Sequence, residues 1–219
     1  MTPKRFKKIK ATLIQRQPDL TVLTADVHKT HNISAVIRTC DAIGIFQMHA
    51  VSPNGEIRRH HMIAGGSRRW VDVKTHKNID DAVQTLRNDG WLLAAAHPCA
   101  NARDFREIDY TKKVAILLGS ELDGLTLKTV QAADETIELP MEGMGASVNV
   151  SVAAAVILYE AQRQRRVAEM YTQSRLSRAA FETALFEWSY PEIAERCKVR
   201  GLPYPQLTEE GAMKSNPLA

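Results

Sequence analysis

VAILLGSELDGLTLKTVQAADETIELP, Val114–Pro140, holds a complete structural alternation in one short run. VAILLG is a continuous apolar segment and reads as a strand buried on both faces. GSELDGL follows as a loop flanked by Gly119 and Gly124, LTLKTVQAA reads as a helix, and ETIELP as the next strand. Working outward, the pattern repeats. DLTVLTADV, MHAVS, WVDVKTH and WLLAAAH read as strands. From Asn32 to Ile43, apolar residues at Ile33, Val36, Ile37, Cys40 and Ile43 have helical spacing, ended by Gly44. NIDDAVQTLRND is a helix stopping at Gly90, and a long helix runs from Asn149 to about Arg166. Strands that are near-continuous apolar runs, alternating with helices, predict an α/β fold with a mainly parallel sheet covered on both faces.

The flanks differ. Residues 4 to 15 form an amphipathic helix with Phe6, Ile9, Leu13 and Ile14 on one side and lysines on the other. Beyond residue 168 the pattern turns to polar helices, FETALFEWSY and EIAERCKV, then GLPYPQL and a loose tail. The expected organisation is a basic N-terminal helix over 1–16, an α/β domain over 17–166 and a helical extension over 167–219.

The 219 residues are 44% hydrophobic and 25% charged, a globular composition that excludes wholesale disorder. No apolar run approaches the roughly 20 residues of a membrane span, and MTPKRFKKIK lacks the apolar core of a signal peptide. Cys40, Cys99 and Cys197 are scattered, with no ligand-like spacing, which fits a reducing cytoplasm and no metal site. The net charge of +4 is unevenly spread. Lys4, Arg5, Lys7, Lys8, Lys10 and Arg16 form one basic cluster, Arg58, Arg59, His60 and His61 a second, Arg68 and Arg69 a third, and Arg163, Arg165 and Arg166 a fourth. Each read singly is a solvated face; four together point to a polyanionic partner, nucleic acid.

Ligands of such sheets sit where strand C-termini meet helix N-termini. The strand ends here run into HPCANARDF, GSELDGL and MEGMGASVNVS. No GxGxxG, P-loop, HExxH or GxSxG is present, which removes support for dinucleotide, triphosphate, zincin and α/β-hydrolase chemistry. Taken locally, Asn32 reads as a helix N-cap, Arg38 as a solvent-facing arginine or an anion contact, and Glu121 as an acid on a helix dipole. Ser147 and Asn149 read as sharing one capping role, and His60, His61 and His97 as loop or surface residues.

Together the pieces are more specific. NISAVIRTCDAIG, LLGSELDGL and LPMEGMGASVNVSVAAAVILYE resemble, in order and separation, the three motifs of the SPOUT class of RNA 2′-O-ribose methyltransferases. NARDFREIDYT and GLPYP extend the resemblance to the bacterial tRNA guanosine-18 2′-O-methyltransferases. The resemblance implies a C-terminal deep trefoil knot, about residues 92–166, and a homodimer with its active site near the subunit interface. It implies S-adenosylmethionine as methyl donor, held by loops around Ala96, around Gly119 and from Leu139 through Met141 to Val148. By match, Arg38 is the catalytic arginine and Asn32 its partner. Glu121 is the second-motif glutamate, and Ser147 and Asn149 are the third-motif serine and asparagine. Val148 stands where relatives often have Leu, and Ala96 where close relatives often have Thr, departures that imply weaker tuning of the cofactor. Arginine is normally a fixed cation, so Arg38 as proton acceptor and Arg38 as clamp for a developing alkoxide, with water taking the proton, both stand. The substrate implied is guanosine 18 in the tRNA D-loop, with Lys4, Arg5, Lys8, Arg16, Arg163 and Arg166 as expected RNA contacts. No DNA, membrane or metal partner is expected. Ribosomal RNA as substrate is disfavoured because only 31 residues precede Asn32, too few for the extra RNA-binding domain usual there. A non-catalytic RNA-binding protein on the same scaffold would need none of the motif residues together.

Overall fold

The computed structural model describes residues 1–27, 29–52, 69–120 and 124–217. Arg58, Arg59, His60, His61, Arg68 and Glu121 lie outside the described residues. In chain order the elements are α1 (Pro3–Ile14), β1 (Leu20–Thr24), α2 (Thr30–Ile43), β2 (Gln47–Val51), β3 (Asp72–His76), α3 (Ile79–Asn88), β4 (Leu92–Ala96) and β5 (Arg103–Asp104). They continue with β6 (Val114–Leu118), α4 (Leu127–Gln131), β7 (Glu135–Glu138), α5 (Val150–Val167), α6 (Arg178–Ser189) and α7 (Pro191–Arg200). The chain divides into two compact units, one of Pro18–Glu169 and one built from both ends, Met1–Gln17 with Met170–Ala219.

The larger unit is a seven-stranded sheet in the order β3-β2-β1-β6-β4-β7-β5, every described pairing parallel. Central β1 and β6 are buried at every position, β6 written as an unbroken apolar run and β1 as Leu and Val with two buried threonines, whereas edge strand β3 keeps exposed positions. On one face α2 and α5 pack Ile33, Val36, Ile37, Ile157, Leu158 and Ala161 over Val22, Met48, Ile116 and Leu118. On the other, α3 lays Ala82, Val83 and Leu86 over Leu23, Leu93 and Leu117. An α/β fold with a covered parallel sheet is what the alternation predicts.

Along α5 only one stripe is buried: Val150, Ala154, Ile157, Leu158 and Ala161 face the core, while Val152, Val156 and Tyr159 are exposed. The basic run at its end is not one solvated cluster. Arg165 is fully buried, with its Nε donating to the Tyr110 carbonyl (2.8 Å) and its Nη2 to those of Asp19 (2.9 Å) and Lys112 (2.8 Å), and it pairs with the Asp19 carboxylate. A planar guanidinium has enough donors to tie the end of α5 to the entrances of β1 and β6 at once. Beside it, the Gln164 side chain accepts from the Tyr110 N–H (2.9 Å) and donates to the Ile108 carbonyl (3.0 Å).

In the smaller unit, α1 buries Phe6, Ile9 and Leu13 and turns its lysines outward. The tail is folded rather than loose. Tyr204, from GLPYP, stacks on Phe186 at 4.7 Å between ring centroids, and its hydroxyl donates to Glu187 (2.9 Å). Tyr190 donates to the Gly211 carbonyl (2.6 Å), and a Cβ at Gly211 would stand 2.4 Å from the Phe6 ring. Among the described residues, no helix is long and apolar enough to cross a membrane.

Candidate active site

The C-terminal ends of β4, β6 and β7 and the entrance of α5 enclose a pocket of about 280 Å3. Its wall includes Ala96 and His97 from the end of β4, Gly119 and Ser120 after β6, and Leu139, Met141, Ser147 and Val148 between β7 and α5. All five residues expected at the cofactor, Ala96, Gly119, Leu139, Met141 and Val148, therefore stand on one cavity.

Gly119 is required by close approach. A Cβ there would fall 2.0 Å from the Gly124 carbonyl carbon, and the Gly124 N–H donates to the Ser120 carbonyl (3.1 Å). Gly124 itself has φ +66, a left-handed conformation that glycine adopts without steric cost. His97, read from sequence as a loop or surface residue, is part of this wall, and its N–H donates to the Ile137 carbonyl (2.9 Å). Its position directly after an apolar strand is the signal that places it there.

The amide residues sit beside the pocket. Asn149 is the N-cap of α5, with its Oδ1 accepting from the Ser151 N–H (2.9 Å) and the Ser151 hydroxyl (2.6 Å). Its Nδ2 donates to Asn32 Oδ1 (3.3 Å) across to α2. Asn32 is not an N-cap: Lys29 holds that position, and Asn32 lies inside the first turn of α2, 2% exposed. Among the described residues its Nδ2 has no hydrogen-bond partner. Ser147 makes no cap and lines the pocket instead, so the capping role belongs to Asn149 alone.

Arg38 is on α2 and exposed, whereas Asn32 is buried on the same helix. Six residues of helix place the two on different sides, so Arg38 is free to reach an external anion while Asn32 braces α5. Of the expected RNA contacts, Lys4, Arg5, Lys8 and Arg166 are exposed. Arg163 is exposed and holds Glu160 through two bonds of 2.8 Å, which draws that carboxyl below its ordinary pKa. Arg16 is a correction. It is fully buried, with its guanidinium 5.1 Å from the Trp188 ring centroid, and contributes to the core of the smaller unit instead of meeting RNA. A delocalised, weakly hydrated cation stacks on indole more readily than an ammonium would.

Residues 19–159 match the model of the SpoU rRNA methylase family, and residues 163–216 match that of its C-terminal region. The chain belongs to the SpoU rRNA methylase family. Among SpoU relatives, it is 48% identical over 218 residues to the tRNA (guanosine(18)-2′-O)-methyltransferase of Escherichia coli K12, covering 99% of this chain and 95% of that one. The crystal structure of the A. aeolicus TrmH/SpoU tRNA-modifying enzyme superposes with a TM-score of 0.80 at 37% identity, covering 86% of this chain and 96% of that chain. The crystal structure of an AdoMet-bound rRNA methyltransferase from Sinorhizobium meliloti has a TM-score of 0.58 at 28% identity, covering 70% of this chain and 59% of that chain.

Proposed function

We propose that the chain is an S-adenosylmethionine-dependent tRNA 2′-O-ribose methyltransferase acting on guanosine 18 of the D-loop. The observation that carries this reading is 48% identity to a tRNA (guanosine(18)-2′-O)-methyltransferase over 99% of the chain. It is supported by the pocket at the strand ends, where Gly119 stands so close to the Gly124 backbone that a Cβ would not fit. The residues present fit the methyl donor. Ala96, Leu139, Met141 and Val148 supply an apolar wall, and Ser147 and Ser120 supply hydroxyls. The pocket lies near the lower end of the roughly 300–1,000 Å3 typical of ligand sites. S-adenosylmethionine bound there supplies an electrophilic methyl group to a ribose hydroxyl.

The protein's part is then orientation and charge. Asn149 and Ser147 set the entrance of α5 against which the ribose is aligned, and an in-line displacement gains much of its rate from such alignment. Arg38, exposed and without a partner among the described residues, grips an RNA phosphate and offsets the charge that develops on the 2′-oxygen. Because a guanidinium is normally a fixed cation, the hydroxyl proton passes to solvent in this scheme. Glu121 stays a proposed member of the site by match.

We infer a homodimer from the exposed apolar line Val148, Val152, Val156 and Tyr159, which runs along α5 from the pocket wall. The trefoil knot is the reading that fits a strand order with β6 inboard of β4 and β7 beyond it, followed by α5 returning to α2. Lys4, Arg5, Lys8, Arg163 and Arg166 are proposed phosphate contacts, and the cytoplasm the proposed location. The test is methylation of tRNA transcripts with labelled donor, followed by mass mapping of the modified nucleotide. Incorporation at the ribose of guanosine 18 is expected; incorporation into ribosomal RNA alone would overturn the substrate.

A further inference from the structure

The amide pair Asn149–Asn32 has a polarity that the protein's covalent structure dictates. A backbone N–H only donates, so the Asn149 atom facing the Ser151 N–H at 2.9 Å is the oxygen. The Ser151 hydroxyl at 2.6 Å donates to the same oxygen, since a carboxamide oxygen only accepts. Both lone pairs of Asn149 Oδ1 are then occupied, and its amine must be the group that meets Asn32. That amine only donates, so Asn32 presents its oxygen at 3.3 Å, and its own Nδ2 is turned away, buried with no partner among the described residues. The orphaned donor is the mark of a pair oriented from outside, because an Asn32 amide free to choose would not leave it so.

One valence remains on the exposed Asn149: the second N–H of its amine. Ser147, Val148 and Val150 line the pocket, and Asn149 between them does not. Its spare donor is therefore not part of the cavity wall. We propose that Ser151 is a positioning residue that locks the Asn149 carboxamide with its amine outward, as a donor to an oxygen of the RNA sugar-phosphate backbone. The proposal rests on the methyltransferase reading for the identity of the RNA. Its geometry is independent of turnover.

Two measurements test it. The Asn149 side-chain NH2 is observed by 15N–1H NMR in the full-length protein, during addition of tRNA transcript or of S-adenosylmethionine alone. One proton, bonded to Asn32, is expected to stay fixed while the other shifts with RNA and not with the methyl donor. A shift produced by the donor alone, or none with RNA, overturns the proposal. In kinetics, Ser151→Ala is expected to lower kcat/KM for tRNA roughly three- to tenfold, the size of one lost hydrogen bond. Binding of S-adenosylmethionine should be unchanged, and Ser151→Thr, which keeps the hydroxyl, should restore the rate. Loss of donor affinity in Ser151→Ala, a change in its oligomeric state, or failure of Ser151→Thr to restore the rate would overturn it. If the wild type methylates no tRNA while the NMR shift persists, the proposed function fails and this positioning role stands.

Discussion

Gly119 and Arg38 illustrate how differently residues proposed for one site are constrained. Gly119 is fixed by packing: a methyl group there meets the Gly124 backbone at 2.0 Å, and backbone cannot yield as a flexible side chain would. Gly119→Ala is therefore expected to displace the loop, destabilise the protein by about 1–3 kcal/mol and weaken S-adenosylmethionine binding at least about tenfold, a further 1.4 kcal/mol. Thermal unfolding and calorimetry measure the two effects separately. Arg38 is fixed by chemistry instead. It is exposed and packs no core, so Arg38→Ala is expected to leave the melting temperature unchanged. It should lower kcat about 10²–10³-fold, the size of losing one transition-state charge contact, with tRNA binding retained in a filter assay. Undiminished turnover would remove Arg38 from the mechanism.

At the scale of elements, buried polar links hold the frame that presents the site. Arg165 ties α5 to the starts of β1 and β6 through three carbonyls and Asp19. Arg165→Ala leaves those acceptors unpaired inside the protein and is expected to cost about 3–5 kcal/mol of stability, read as the shift of a urea unfolding curve. At the other edge, His49 on β2 and His76 on β3 share a 2.9 Å hydrogen bond with stacked rings, and Asp81 on α3 lies 3.7 Å from His76. Burial and the neighbouring His76 and Lys74 push His49 down to about 4, against the weaker pull of Asp89 and Asp72; burial also lowers His76, partly opposed by Asp81. The unfolded chain therefore binds more protons than the folded one below the ordinary histidine range. Stability is full above about pH 6.5 and is lost as pH falls toward 4, with a slope of at most about 1.4 kcal/mol per pH unit for one proton. Replacing the titrating ring, His49→Phe, should flatten stability measured between pH 6.5 and 4.5. An unchanged slope would assign the acid sensitivity to carboxylates.

For the whole molecule, assembly and substrate capture are the testable properties. Val152→Glu with Val156→Glu places charge on the exposed stripe of α5 without touching its buried face. The variant is expected to be monomeric by light scattering and inactive, yet folded by circular dichroism. Binding of tRNA should weaken steeply with salt, and removal of Lys4, Arg5 or Lys8 should each lower the slope of log affinity against log salt by about 0.9. Removal of Arg16 should act through stability, because that cation is enclosed with Trp188.

Alternation of apolar runs and helical periods, by itself, determined the α/β fold and the order of its elements apart from the two-residue β5. Those signals are local, and both faces of β1 and β6 are written into consecutive residues. The loops carrying Ala96, Gly119 and Val148 were legible for the same reason, since they begin where buried strands stop. Tertiary structure alone decided what long-range partners decide. Arg16, Arg165 and Arg163 share one letter in the sequence, but one stacks on Trp188, one clamps three carbonyls and one stays in solvent. Asn32 resembles a cap until α5 is seen to reach across to it from 117 residues away. The two chain ends join in one unit, and GLPYP becomes a packing surface for Phe186. A side chain's charge and shape are local properties. Whether it is buried, and against what, depends on the rest of the chain.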